Sequence, residues 1–172
     1  EKLMKAHWPG PLTLVLPKKE CVPDIVTSGL QSVAVRMSAH PLMKAIVRNL
    51  GKPIAAPSAN RFGRISPTSA SAVEKELAGR IPMIIDGGAC REGLESTIIR
   101  PEISAEAGKK GVLIHLLRAG PVTKEMLQRF GKVVRVKKNR SEEAPEAPGQ
   151  LSSHYAPVTP LRLLSNPSEF EP

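Results

Sequence analysis

Ile54-Ala55-Ala56-Pro57-Ser58-Ala59-Asn60 joins a short apolar run to a loop of small polar residues, and the loop continues through Arg61-Phe62-Gly63-Arg64-Ile65-Ser66-Pro67-Thr68. A buried-type strand that ends in hydroxyl, amide and cationic groups is how an α/β sheet offers hydrogen-bond donors to an anionic ligand. Pro57 holds Ala56 in extended geometry and so fixes how the chain enters the loop. Outward from this stretch the same grammar recurs. Ser32-Val33-Ala34-Val35 ends at Arg36, Gly93-Leu94-Glu95-Ser96 leads into Thr97-Ile98-Ile99, and Val112–Leu117 ends at Arg118 before Ala119-Gly120-Pro121.

Val- and Ile-rich runs of this kind predict strands at Leu12–Leu16, Val33–Met37, Ile54–Ala56, Met83–Asp86, Thr97–Arg100, Val112–Leu117 and Val133–Lys137. Between them lie three helical patterns. His40 to Leu50 has Pro41 in its first turn, Gly51 just past its end, and Leu42, Ile46, Val47 and Leu50 on one face. Ser69 to Ala78 stops at Gly79. Thr123 to Phe130 opens on a hydroxyl cap and stops at Gly131, with Val122 and Leu127 at hydrophobic-staple spacing. The alternation predicts an α/β (mixed α+β) domain of three layers, a twisted mixed sheet with flanking helices. Residues 141–150 turn acidic and proline-rich, the composition of a linker. The organisation expected is therefore a domain over 1–140, a linker over 141–157, and the start of a second domain over 158–172. The chain opens on Glu1 and enters mid-pattern at Leu3-Met4-Lys5-Ala6-His7-Trp8, so a piece of a longer protein is expected.

Composition narrows the partners. Of the 172 residues 41% are hydrophobic, enough for one good core, while the net charge of +9 favours polyanions such as nucleotides or RNA. Three Phe, one Trp and one Tyr leave little for stacking single-stranded bases. No run reaches the roughly 18–20 apolar residues of a membrane span. Cys21 and Cys90 have no CxxC spacing and His7, His40, His115 and His154 are scattered, so no metal ligand set is read. Two free thiols suit a reducing cytoplasm.

Standard nucleotide cradles are absent. Gly88-Ala89-Cys90-Arg91-Glu92-Gly93 has P-loop glycine spacing, but Leu94 stands where a lysine belongs, and no GxGxxG occurs. Arg36 and Arg118 can each grip a carboxylate or phosphate, or simply cap a sheet. Ser58 and Asn60 are donors or ordinary turn formers, and Ser66 and Thr68 precede a helix as an anion site or as a plain cap. Arg36, Ser58 and Arg118 share one property: each lies at or just past the C-terminal end of an expected strand, where ligands of such sheets collect. Arg129 to Arg140 carries six cations and no acid, a solvated basic edge or an RNA-contacting patch.

Several phrases together resemble the YrdC-type family of threonylcarbamoyl-adenylate synthases in its two-domain form: residues 8–16 (Trp-Pro-Gly-Pro-Leu-Thr-Leu-Val-Leu), 33–37 (Val-Ala-Val-Arg-Met), 53–60 (Pro-Ile-Ala-Ala-Pro-Ser-Ala-Asn), 93–98 (Gly-Leu-Glu-Ser-Thr-Ile) and 117–122 (Leu-Arg-Ala-Gly-Pro-Val). Pro148 to Pro157 is similar to the segment joining the two domains of such proteins. The resemblance implies condensation of L-threonine, bicarbonate and ATP to threonylcarbamoyl-AMP and pyrophosphate, with Mg2+ assisting. The product would pass to the machinery that modifies the adenosine beside the tRNA anticodon. It implies that Arg36, Ala56 and Ser96 meet threonine, that Ser32, Ser58, Ser66, Arg118 and Tyr155 meet ATP, and that Arg36, Ser58 and Asn60 carry the catalytic contacts. The family's N-terminal Lys-x-Arg element has no counterpart here, so these residues taken alone are expected to be inactive. Two other readings fit part of the pattern: a non-catalytic module binding tRNA or other double-stranded RNA, and the carbamoyl-transfer domain of a hydrogenase maturation protein.

Overall fold

Leu12, Leu14, Ile99, Ile114 and Leu116 converge with Leu3, Val122 and Leu127 into one buried cluster, and this cluster fixes the architecture. The structure is a computed structural model and describes residues 1–105 and 111–136. Its elements in order are α1 (Lys2–His7), β1 (Leu12–Pro17), α2 (Asp24–Thr27), β2 (Ser32–Arg36), α3 (Pro41–Leu50), α4 (Ala70–Leu77), β3 (Thr97–Ile103), β4 (Val112–Arg118), α5 (Lys124–Gln128) and β5 (Lys132–Arg135). The strands form one five-stranded sheet in the order β2-β1-β3-β4-β5. β1 runs antiparallel to β2 and parallel to β3, β3 antiparallel to β4, and β4 parallel to β5. The expected mixed α/β sheet is thus present.

Alternation along the strands assigns the faces. Leu12, Leu14, Ile99 and Ile114 look toward α1 and α5, where Met4, Trp8, Phe130 and Val133 complete the packing. Val15, Ile98 and Leu117 form a smaller cluster of their own. Both faces of β1 are buried at its start, Leu12 and Leu14 on one and Thr13 and Val15 on the other, so no exposed polar face alternates with the apolar one there. Leu12, Ile99, Ile114 and Leu127 are completely or almost completely buried; shortening any of them to alanine would cost about 2–5 kcal/mol.

The helix boundaries follow from caps. Ser69 accepts from the Ala72 N–H at 3.3 Å and opens α4. Thr123 accepts from the Met126 N–H at 3.4 Å and opens α5, behind which Val122 and Leu127 are both buried in the core. α3 begins with Pro41 and ends at Gly51, whose φ of 67° satisfies a left-handed C-cap. Two short helices, α1 and α2, have no counterpart among the sequence-based expectations.

Two expected strands are corrected. Ile54–Ala56 and Met83–Asp86 adopt no strand, and no ladder includes them among the described residues. Ile54, Met83 and Ile85 are 39%, 70% and 55% exposed. Their apolar composition suits a strand, but a strand forms only where a neighbour supplies ladder partners. The expected linker over 141–157, the second domain from 158, Lys137 of the expected strand Val133–Lys137, and the rest of the basic stretch from there to Arg140 lie outside the described residues.

Candidate anion-binding site at one end of the sheet

Because β2 and β4 each oppose a neighbour and β1 and β3 share a direction, the C-terminal ends of β2 and β4 meet the starts of β1 and β3 at a single end of the sheet. The register makes this a row: Arg36 lies opposite Thr13, Thr13 opposite Ile98, and Ile98 opposite Arg118. Three strand spacings separate the two arginines' backbones, about 14 Å. That spacing leaves room for two anionic groups side by side between them.

Polar side chains fill the row between them. The hydroxyls of Thr13 and Ser96 lie 2.8 Å apart, both buried. Arg118 donates through Nε to the Ser96 carbonyl at 2.9 Å and through Nη2 to the Ser96 hydroxyl at 3.0 Å. Its Nη2 also stands 3.6 Å from the Glu95 carboxylate. The Ser66 hydroxyl donates to the other oxygen of that carboxylate at 2.5 Å. On the far flank, Arg36 donates through Nε to the Gly10 carbonyl at 3.0 Å, which steadies an otherwise exposed side chain.

Beside Arg118 opens a cleft of ≈ 780 Å³, within the range of small-molecule sites. Ser66, Thr68, Lys75, Glu76, Glu95 and Arg118 supply its polar wall. The loop before α4 is pinned to that helix by two ion pairs, Arg61 and Arg64 each 3.3 Å from Glu76. Burial alone would raise the pKa of Glu76, but the hydrogen bond from Arg61 and the charges of Arg64 and Arg61 outweigh it and hold the carboxyl below its ordinary value.

A glycine sets how tightly the site closes. A Cβ on Gly120 would lie 2.4 Å from the Glu95 carbonyl oxygen, 2.5 Å from the Thr97 nitrogen and 2.8 Å from the Ser96 carbonyl carbon. The turn after β4 therefore packs backbone to backbone on the segment that carries Glu95 and Ser96. The close neighbour at Gly120 is the chain itself. Thr97 adds a pin, donating to the Val122 carbonyl at 2.8 Å and accepting from the Val122 N–H at 3.0 Å.

Of the residues singled out from sequence, Ser66, Ser96 and Arg118 come together here, and Arg36 ends the same row. Asn60 closes its own loop, donating to the Arg61 and Arg64 carbonyls at 2.9 and 3.0 Å, with its oxygen 3.5 Å from the Ser66 hydroxyl. Ala56 and Ser58 lie exposed ahead of that loop. Ser32 stands opposite Pro17 at the other end of β2, four residues and roughly 13 Å of strand from Arg36. Tyr155 lies outside the described residues. Sequence reasoning passed over Thr13, the only hydroxyl in Leu12–Leu16, and Glu95, the acid beside Ser96.

A family model described as "Telomere recombination", covering Sua5, YciO and YrdC proteins, matches residues 1–120. The chain belongs to the Sua5/YciO/YrdC family. Within that family, a second model described as "Threonylcarbamoyl-AMP synthase, C-terminal domain" matches residues 122–172. The chain is 43% identical over 173 residues to a threonylcarbamoyl-AMP synthase of Bacillus subtilis, covering 97% of this chain and 47% of that one. It is 40% identical over 176 residues to the synthase of Pyrococcus abyssi, covering 98% and 48% respectively. A crystal structure of P. abyssi Sua5 complexed with L-threonine superposes with a TM-score of 0.78 at 43% identity, covering 91% of this chain and 44% of that one. The chain thus spans about half the length of the curated relatives it matches. These matches favour neither the RNA-module nor the hydrogenase-maturation reading.

Proposed function

We propose that this chain forms the anion-holding part of a threonylcarbamoyl-AMP synthase, an enzyme that joins L-threonine, bicarbonate and ATP and releases pyrophosphate. The observation that carries the reading is the row Arg36–Thr13–Ser96–Arg118, which sets two cationic anchors at one sheet end with hydroxyls between them. The relatives' names and the threonine-bound Sua5 structure support it.

The chemistry needs such an arrangement. Threonine's amine takes up the carbon of bicarbonate with loss of water, giving an N-carboxylate. That carboxylate oxygen attacks the α-phosphorus of ATP, and pyrophosphate departs with the breaking P–O bond. Two anions must be held against their mutual repulsion, and the transition state gathers negative charge on phosphoryl oxygens. Arg36 is assigned to the threonine carboxylate, with the Ala56 backbone and Ser96 beside it. Arg118 and Ser66 are assigned to the phosphates, and Ser32, Ser58 and Tyr155 remain further ATP contacts of the proposal. Asn60 keeps the Ser58–Ser66 loop in shape. No side-chain nucleophile is required.

Mg2+ fits this site only as a companion of the nucleotide. The cleft's two carboxylates, Glu76 and Glu95, are each engaged by arginine, and among the described residues no group of three acidic, histidine or cysteine side chains gathers to hold a metal. A hard cation carried on phosphate oxygens is the ordinary alternative to a protein cage. The reading also calls for a cytoplasmic setting and for delivery of the product to a tRNA-modifying transferase. No helix among the described residues is long and apolar enough to cross a membrane.

The test is pyrophosphate release by the full-length protein, with threonine, bicarbonate or ATP left out in turn. Release is expected only with all three. Equal release without threonine would remove the synthase reading.

A further inference from the structure

The donors that should meet phosphate are already occupied by a carboxylate of the chain. Ser66 has one hydroxyl proton, and it is given to Glu95 Oε1 at 2.5 Å. Arg118 turns Nη2 toward Glu95 Oε2 at 3.6 Å while Nε and Nη2 hold Ser96. Glu95 therefore sits where a phosphate oxygen using Ser66 and Arg118 would have to sit. A carboxylate and a phosphate cannot accept the same proton, and two anions cannot share that space without repulsion.

We propose that Glu95 is an internal competitor for the phosphate subsite: it occupies Ser66 and Arg118 in the empty cleft and swings away when a nucleotide's phosphates arrive. The inference rests on the nucleotide reading of the cleft and adds to it a selecting group. The side chain of Glu95 is 30% exposed, so a rotation into solvent is open to it, whereas Arg118, at 13%, is held by Ser96. The backbone under Glu95 cannot yield in the same way, because Gly120 is packed against it. The exchange is therefore a side-chain movement. A small free anion that offers only phosphate contacts must displace Glu95 with little to offset the cost. ATP brings further contacts through its nucleoside. Glu95 thereby discriminates against inorganic phosphate and pyrophosphate, and it returns to Ser66 and Arg118 as pyrophosphate leaves.

Glu95→Gln removes the charge but keeps an acceptor for Ser66; Glu95→Ala removes both. Calorimetric titration of inorganic pyrophosphate and of ATP into the full-length protein separates the outcomes, with each variant's melting curve taken first. Pyrophosphate is expected to bind about tenfold more tightly to both variants, with a smaller gain for ATP. Damage to a merely structural residue would not tighten binding. Unchanged or weaker pyrophosphate binding in the variants, with wild-type ATP binding intact, overturns the competitor role and leaves the nucleotide reading standing. If wild type binds no ATP, the nucleotide reading falls and this inference with it. A crystal structure of the ATP-bound wild type gives a measurement independent of any variant. Ser66 on a phosphate oxygen with Glu95 turned out supports the exchange, and a retained Ser66–Glu95 hydrogen bond refutes it.

Discussion

Arg36 holds the Gly10 carbonyl with Nε and leaves its end toward solvent at the margin of the row. An exposed arginine contributes less than a desolvated one, but a bound amino acid would itself exclude water from the pair. Arg36→Ala is expected to weaken threonine binding by about 1–2 kcal/mol, roughly 5- to 30-fold, and ATP binding far less. Calorimetry on the full-length protein checks this, and an unchanged threonine affinity would return Arg36 to sheet capping. At the end of α1, just before β1, His7 is a stability residue. Its Nε2 is buried without a hydrogen-bond partner among the described residues, and its ring meets Phe130 edge-on at 5.7 Å. Burial lowers its pKa from the ordinary 6.5. The unfolded chain therefore binds the proton first, and stability should fall as the pH drops through about 6.5 toward the lower folded value. His7→Phe keeps the ring contact and should flatten that part of the stability–pH profile, measured by denaturant titration at several pH values. An equally steep profile in the variant would show that His7 is not the group responsible. At this scale Arg36 and Arg118 were legible because each ends an apolar run. Thr13 and Glu95 were not, because what gives them meaning is distance across the fold: Thr13 and Ser96 touch although 83 residues separate them.

Elements carry the site through two contacts between β3 and the turn after β4. Thr97, fully buried, satisfies both backbone groups of Val122. Thr97→Val preserves the shape and orphans a buried N–H and a buried carbonyl, at an expected cost of about 2–4 kcal/mol. Thermal melting would read it, and a loss under about 0.5 kcal/mol would mean that water reaches Val122. Gly120 tests the same junction sterically. Gly120→Ala places a methyl carbon within 2.8 Å of the Glu95–Thr97 backbone, so that segment must shift. The shift moves Ser96 and Glu95 away from Arg118, and pyrophosphate release should fall at least tenfold while much of the fold survives. Normal turnover in Gly120→Ala would mean that the segment tolerates displacement. The elements legible in sequence were those whose signal is local. β1, β3 and β4 are apolar because they are buried, and α3 to α5 declare themselves by caps. Residues 54–56 and 83–86 failed as strands because pairing belongs to the neighbour, not to the run. α1 and α2 escaped because six and four residues hold too little periodicity to read.

For the whole molecule, the balance of covered and uncovered apolar surface is uneven. One face of the sheet is sealed by α1 and α5, yet α3 contains no buried residue. Its apolar stripe of Leu42, Ile46, Val47 and Leu50 is 44%, 37%, 36% and 55% exposed, and Val35 and Met37 at the end of edge strand β2 are 38% and 50% exposed. A ten-residue helix gains most of its stability from packing that stripe, and a helix of this length is marginal without it. Among the described residues no strand pairs the outer side of edge strand β2. The Bacillus subtilis and Pyrococcus abyssi synthases, of which the chain covers 47% and 48%, are about twice as long as this chain. The 172 residues produced alone are therefore expected to bind a hydrophobic dye, to melt over a broad range with α3 losing helicity before the β1–β3–β4 core, and to release no pyrophosphate from ATP, threonine and bicarbonate. Hydrogen exchange resolved along the chain makes the order visible, with fast exchange in α3 and β2 and slow exchange at Ile98, Ile99, Ile114 and Leu116. The full-length protein should protect all of these together. A steep single melt without dye binding, joined to full activity in the isolated 172 residues, would mean that α3 and the β2 edge need no cover and that the site is complete as it stands.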